Sequence, residues 1–183
     1  MIMKAYSIIV ALFICSVNSG LAQRYIPVEQ SSSVQFNVSH QMIFKSTVTG
    51  TFKGLKGTIV FDPSNVTGAT FDISVAAGTV ESGIGMRDNH LKEESYFDVK
   101  KYPLISIKSQ SIIKTSGENT YTFVGALTMK GVTKTISFPF TAKAENGGYH
   151  FKGNFKLNRL EYNISTDNSI DKNVEVDLDV VAK

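Results

Sequence analysis

An all-β fold is what this 183-residue chain predicts: an antiparallel β-barrel of about eight strands with one short helical insertion near residues 86–95. Three observations carry that prediction. Apolar residues recur at every second position through most of the chain, the period of a strand with one buried face. Turn residues punctuate those runs at short intervals. Only Met86–Asp98, reading MRDNHLKEESYFD, breaks the pattern, with charged side chains crowded between Met86, Leu91, Tyr96 and Phe97.

The chain opens with Lys4, an apolar run from Ala5 to Val17 and a small-residue exit at Gly20-Leu21-Ala22. This is the order of a secretory signal peptide over residues 1–22. The run is too short for a transmembrane helix, and no later stretch approaches the roughly 20 apolar residues that span a bilayer. The expectation is an exported chain, soluble and not an integral membrane protein, with a single domain at 23–183. Cys15, the only cysteine, lies inside the leader. The preceding Leu12-Phe13-Ile14 is unlike a lipidation box, so free export to the periplasm or beyond is expected. A fold without disulfides follows.

Arg24–Ser33 is polar, contains Pro27 and leads into the first long strand. The alternating sets then run in order: Val34, Phe36, Val38; Val48, Gly50, Phe52; Ile59, Phe61; Phe71, Ile73, Val75, Ala77. After the polar excursion come Ile105, Ile107; Tyr121, Phe123, Gly125, Leu127, Met129; Ile136, Phe138, Phe140; Phe151, Gly153, Phe155, Leu157; and Val174, Val176, Leu178, Val180. Asp62-Pro63-Ser64-Asn65, Ser116-Gly117-Glu118-Asn119, Lys130-Gly131 and Asn146-Gly147-Gly148 supply the bends between them.

A meander of this kind must bury its apolar face by stacking two sheets or by closing one. Closure is favoured because no further helix is available as a cover. Gly50, Gly125 and Gly153 sit at stripe positions, where they either mark bends or thin the lining along a ligand's path.

The chemistry-bearing residues exclude more than they select. The 19 basic and 16 acidic side chains give a formal charge of +3, lowered by one when Lys4 leaves with the leader; no dense basic face suggests nucleic acid. His40, His90 and His150 fall in no short metal-ligand spacing, and no cofactor is called for. No GxSxG elbow occurs, and Gly83-Ile84-Gly85 lacks the third glycine of a dinucleotide loop. A hydrolytic centre of His40, Asp88 and His90 is a minor alternative. The sequons at Asn37, Asn65 and Asn163 read as chance matches. Beyond Arg24 the arginines are Arg87 and Arg159. Each is expected to fork onto a carboxylate such as Asp88, Asp98 or Glu161, or else to face an anionic head group.

Several of these residues carry a resemblance. Ser33–His40, Val48-Thr49-Gly50-Thr51-Phe52, Gly57-Thr58-Ile59, Met86-Arg87-Asp88-Asn89-His90-Leu91, Tyr96-Phe97-Asp98, Tyr102-Pro103 and Val124–Lys134 together resemble the YceI-like, lipocalin-like proteins, from about Ser33 to the C-terminus. The resemblance implies an exported, usually periplasmic barrel that binds a polyisoprenoid chain, such as a prenyl quinone or polyprenyl phosphate, and it implies no enzyme. By residue match the lining would include Phe36, Val38, Phe52, Ile59, Phe71, Ile73, Phe123, Leu127, Phe138 and Phe155. Arg87, Asp88 and His90 would hold the segment near the barrel mouth, with Arg87 and His90 among the ligand-binding residues. One departure is Tyr162-Asn163, where the family commonly has an aromatic followed by Gly; Asn tolerates the left-handed backbone such a turn needs. The rival expectation is a packed barrel serving as an envelope stress or interaction protein with no lipid. A homodimer is compatible with either.

Overall fold

The alternating segments form strands throughout the computed structural model, which describes residues 23–41 and 45–183. The strands are β1 (Arg24–Tyr25), β2 (Ser33–Gln41), β3 (Lys45–Val60), β4 (Thr70–Glu81), β5 (Leu104–Lys114), β6 (Thr120–Met129), β7 (Val132–Glu145), β8 (Gly148–Asn158) and β9 (Ile170–Ala182). The leader and Cys15 lie outside the described residues. Every neighbouring pair is antiparallel, in the order β1-β3-β2-β9-β8-β7-β6-β5-β4, and β3 also pairs with β4. That last pairing closes β2–β9 into an eight-stranded barrel; β1 adds a short patch to β3 through Arg24 opposite Val60 and Tyr25 opposite Ile59. Among the described residues closure leaves no long open edge, which suits a sheet that no described helix covers.

The polar excursion is helical only at its start. Helix α1 spans Gly85–Leu91, and turns continue from there to β5, so the insertion is shorter than the 86–95 expected. Asp98, at φ 47°, bends the chain back as its carbonyl accepts from the backbone N–H groups of Lys101 and Tyr102.

β3 is one strand of 16 residues, although its apolar positions read as two sets. Val48, Gly50 and Phe52 are even-numbered; the buried Leu55 and Ile59 are odd. The phase changes at Gly54, whose φ of +73° lies where its register with β4 shifts. A β-bulge adds one residue and so flips the side of every residue after it. β5 repeats the device: Ile105 and Ile107 give way to buried Ile112 across a register shift between Ser109 and Ser111.

The stripe glycines divide accordingly. Gly125 stands opposite the β5 bulge, as the bend reading expects. Gly50 and Gly153 have another role: a Cβ on Gly50 would lie 2.3 Å from the Phe36 ring, and one on Gly153 would lie 2.9 Å from that of Phe138. Each glycine is covered by an aromatic side chain from a neighbouring strand.

Because the strands alternate in direction, their connections gather at two ends. One end collects β1, the 61–69 connection, the turns at 115–119 and 146–147, and the end of β9. The other collects α1 and its turns, the Lys130-Gly131 hairpin and the 159–169 segment. Lys130-Gly131 and Asn146-Gly147 both have positive φ at their two central residues, the geometry that joins antiparallel strands in two residues.

Candidate functional site

The first end is filled by rings. Phe61 packs edge-on against Tyr121, Tyr149 and Phe151 at 5.1, 5.0 and 5.4 Å, and against Phe71 at 6.3 Å. Tyr25 meets Tyr149 at 5.3 Å. Such crossed geometries set the positive ring edge on the negative face. Burial raises the hydroxyl pKa of Tyr25, Tyr121 and Tyr149 above the ordinary value.

Above this base lies a cavity of about 450 Å³, within the roughly 300–1,000 Å³ of small-molecule sites. Its floor is Ile59, Phe71, Phe140 and Phe151, and its wall rises past stacked Phe123, Phe138 and Phe155 toward the α1 end. All of the residues singled out as lining border it: Phe36, Val38, Phe52, Ile59, Phe71, Ile73, Phe123, Leu127, Phe138 and Phe155, with Arg87 and His90 at the mouth. Residues not singled out complete the wall, chiefly Leu55, Ile105, Ile107, Leu157, Val174, Val176 and Leu178. The valines, isoleucines and Leu157 and Leu178 belonged to the alternating sets. Leu55 was hidden by the phase change at Gly54.

Most polar side chains on the cavity belong to its mouth. Arg87 donates from Nε to the Ser82 hydroxyl at 2.7 Å and from Nη2 to the Ser82 carbonyl at 2.7 Å. Asp88 accepts from the backbone N–H and hydroxyl of the same serine. The hydroxyl bond, foremost, holds the Asp88 carboxyl below the usual carboxylate range. Ser82 thus ties the start of α1 to the end of β4, and Arg87 reaches Asp88 only through it. Asp88 does not border the cavity; His90, exposed, does.

Arg159 departs further from expectation. It is 5% exposed and borders the cavity, and its partners are all backbone carbonyls: Asp171 at 2.9 Å, Ile164 at 2.8 Å, Asp167 at 2.6 Å, Ile170 at 2.7 Å, and Ser165. All five guanidinium N–H groups are used. The expected carboxylate fork is therefore absent at both sites: among the described residues no carboxylate lies within ion-pair distance of Arg87 or Arg159. Carbonyls win at Arg159 because the 163–171 segment wraps around it. The wrap starts at Asn163, left-handed at φ 57°, so the departure at Tyr162-Asn163 preserves the turn. Beside it Tyr162 is buried, which with the nearby Glu161 charge pushes its hydroxyl pKa up to about 12.

His40 and His90 both border the cavity mouth, whereas His150 does not border the cavity. His40 lies at the mouth with Nε2 3.2 Å from the Ser169 hydroxyl. His150 bridges Asp179 and Glu145 near the ring-filled end. No helix of the described residues is long and apolar enough to cross a membrane.

Comparisons with known proteins agree with this architecture. The pattern of the YceI-like domain matches residues 25–182. A UPF0312 protein of Pseudomonas savastanoi is 30% identical over 155 residues, covering 81% of this chain and 79% of the relative. The crystal structure of Burkholderia cenocepacia BcnA superposes with a TM-score of 0.79 at 25% identity, over 86% of this chain and 99% of that one. A polyisoprenoid binding domain from Saccharophagus degradans shares the fold at a TM-score of 0.71 and 14% identity, over 87% of this chain and 97% of that domain. A ring-filled base, an apolar bore and the matched pattern over residues 25–182 thus converge on one statement: this chain belongs to the YceI-like family.

Proposed function

We propose that the barrel binds a long-chain isoprenoid lipid of the prenyl quinone or polyprenyl phosphate type, and that it serves as an exported carrier or store in the cell envelope. The observation that carries this reading is the cavity itself: about 450 Å³ lined by apolar side chains from β2 to β9, with charged groups gathered mainly at one end. Burial of apolar area is worth roughly 25 cal/mol per Å², so a chain of isoprene units is held without many polar contacts. A polar head group then rests at the mouth. There Arg159 supplies positive potential, since its N–H groups are already engaged. The likeness to a domain described as polyisoprenoid binding supports the same class of ligand. A void of this size speaks against the rival reading of a packed interior. Export, with cleavage after Ala22, is part of the proposal and is tested by the N-terminal sequence of the mature protein.

Native mass spectrometry of protein purified gently from its own envelope tests the ligand. A bound prenyl chain is expected. Val176→Phe, placed on the wall beside Phe36 and Phe155, should lower prenyl-lipid affinity by about tenfold or more while costing about 1–3 kcal/mol of stability. Recovery of no lipid, with no prenyl chain bound on titration, overturns the proposal.

A further inference from the structure

The mouth of the barrel ends in exposed apolar side chains that no described residue covers. Ile84 is 54% exposed and Met86 76% exposed, and both also border the cavity. They flank Gly85 at the start of α1, so the rim and the bore form one continuous apolar surface. Tyr96, also on the cavity, adds a ring of the kind that sits between apolar and wet surroundings. We propose that this rim docks onto a lipid bilayer, with Ile84 and Met86 entering the interfacial region and the bore facing the acyl chains. The inference rests on the proposed lipid cavity.

Three features point to a bilayer rather than a protein. A prenyl chain that moves between membrane and bore along this rim crosses no water, which removes the main cost of its transfer. Even with Leu104 and Leu160, exposed at the same end, the few apolar side chains among the described residues fall short of a stable protein interface, which needs about 800 Å² from each partner. Charge complementarity is also missing: between Ile84 and Pro103, Arg87, Lys92, Lys100 and Lys101 are balanced by Asp88, Glu93, Glu94 and Asp98. Docking should therefore proceed by apolar insertion, on neutral lipid and with little salt dependence.

The test compares the full-length mature protein with Ile84→Asp/Met86→Asp and with Ile113→Asp. Ile113 is 51% exposed and lies near the opposite end of the barrel, so it controls for an added charge at an exposed apolar site. Aspartate suits the cap and first turn of α1, so the double variant should keep its fold. Co-sedimentation with phosphatidylcholine vesicles should fall about tenfold or more in the double variant, and Ile113→Asp should match the parent. Farnesol titration in solution should match the parent in Ile113→Asp, and in the double variant farnesol affinity should fall by much less than vesicle sedimentation does. Equal sedimentation of all three proteins, no sedimentation of the parent, or a requirement for phosphatidylglycerol that salt abolishes would each overturn the docking proposal. Loss of farnesol binding by the parent would instead remove the cavity reading on which the proposal rests.

Discussion

The two ends of this barrel are finished by different chemistry. At the base, Phe61 is surrounded by Phe71, Tyr121, Tyr149 and Phe151, and cohesion comes from area and ring geometry. At the mouth, Arg159 gathers five carbonyls of the 164–171 segment, and cohesion comes from directed hydrogen bonds. Rings fill whatever space they meet, so the base has no bore. A planar guanidinium satisfies the backbone of a loop from one side, so it ties that loop down without filling the mouth. An open cavity depends on that difference.

Removing the centre of the base should have the largest effect. Phe61→Ala is expected to cost about 3–5 kcal/mol in denaturant unfolding; a cost under about 1 kcal/mol would mean that the base is not a packed unit. Next comes Arg159→Ala, which leaves buried carbonyls without donors and should cost about 1–3 kcal/mol or more. Arg159→Lys should recover little, because an ammonium lacks the planar fork. Full recovery by lysine would show that charge, and not hydrogen-bond geometry, holds the mouth.

Alkaline titration separates the ends more finely. The folded pKa of Tyr162 is raised to about 12, against about 10 in an unfolded chain. The unfolded chain therefore releases its proton first, so stability is complete below pH 10 and is lost between about 10 and 12. Tyr162→Phe should flatten that loss in melts across the window. An unchanged slope would assign the effect to Tyr25, Tyr121 and Tyr149 at the base. The smallest effect is expected at Arg87, half-buried and bonded to a single serine. Arg87→Ala should cost about 0.5–1.5 kcal/mol, less than a broken carboxylate fork would. A cost as large as that of Arg159→Ala would show that both arginines are equally structural.

Strands and turns were legible because each is written in a short window, two-residue alternation or an Asn-Gly pair, and closure followed from the want of a further helix to cover the sheet. The residues named as lining through the family resemblance border the cavity, with Arg87 and His90 at its mouth and Asp88 off it. What escaped the sequence depends on one residue more or less, or on atoms without side chains. Leu55 was lost because Gly54 shifts the phase of β3. The Arg159 partners were misassigned because carbonyls leave no mark in a sequence, whereas nearby acids do. Gly50 and Gly153 were read as bends or as a thinned lining because the rings of Phe36 and Phe138 reach them across a strand pair that only the register reveals.

Closure of the ring also sets an order on folding. β2 pairs with β9, so that Val34 stands opposite Leu178 and Phe36 opposite Val176, and Asn37 bonds Asp177 across 140 positions of chain. Contacts so distant in sequence are slow to form, because a long loop must be ordered before they stabilise anything. A chain made or released from its N-terminus therefore holds β2 beside β3 with one flank unpaired until nearly its last residue is free. The barrel stays open, and vulnerable to wrong partners, until β9 arrives to complete it.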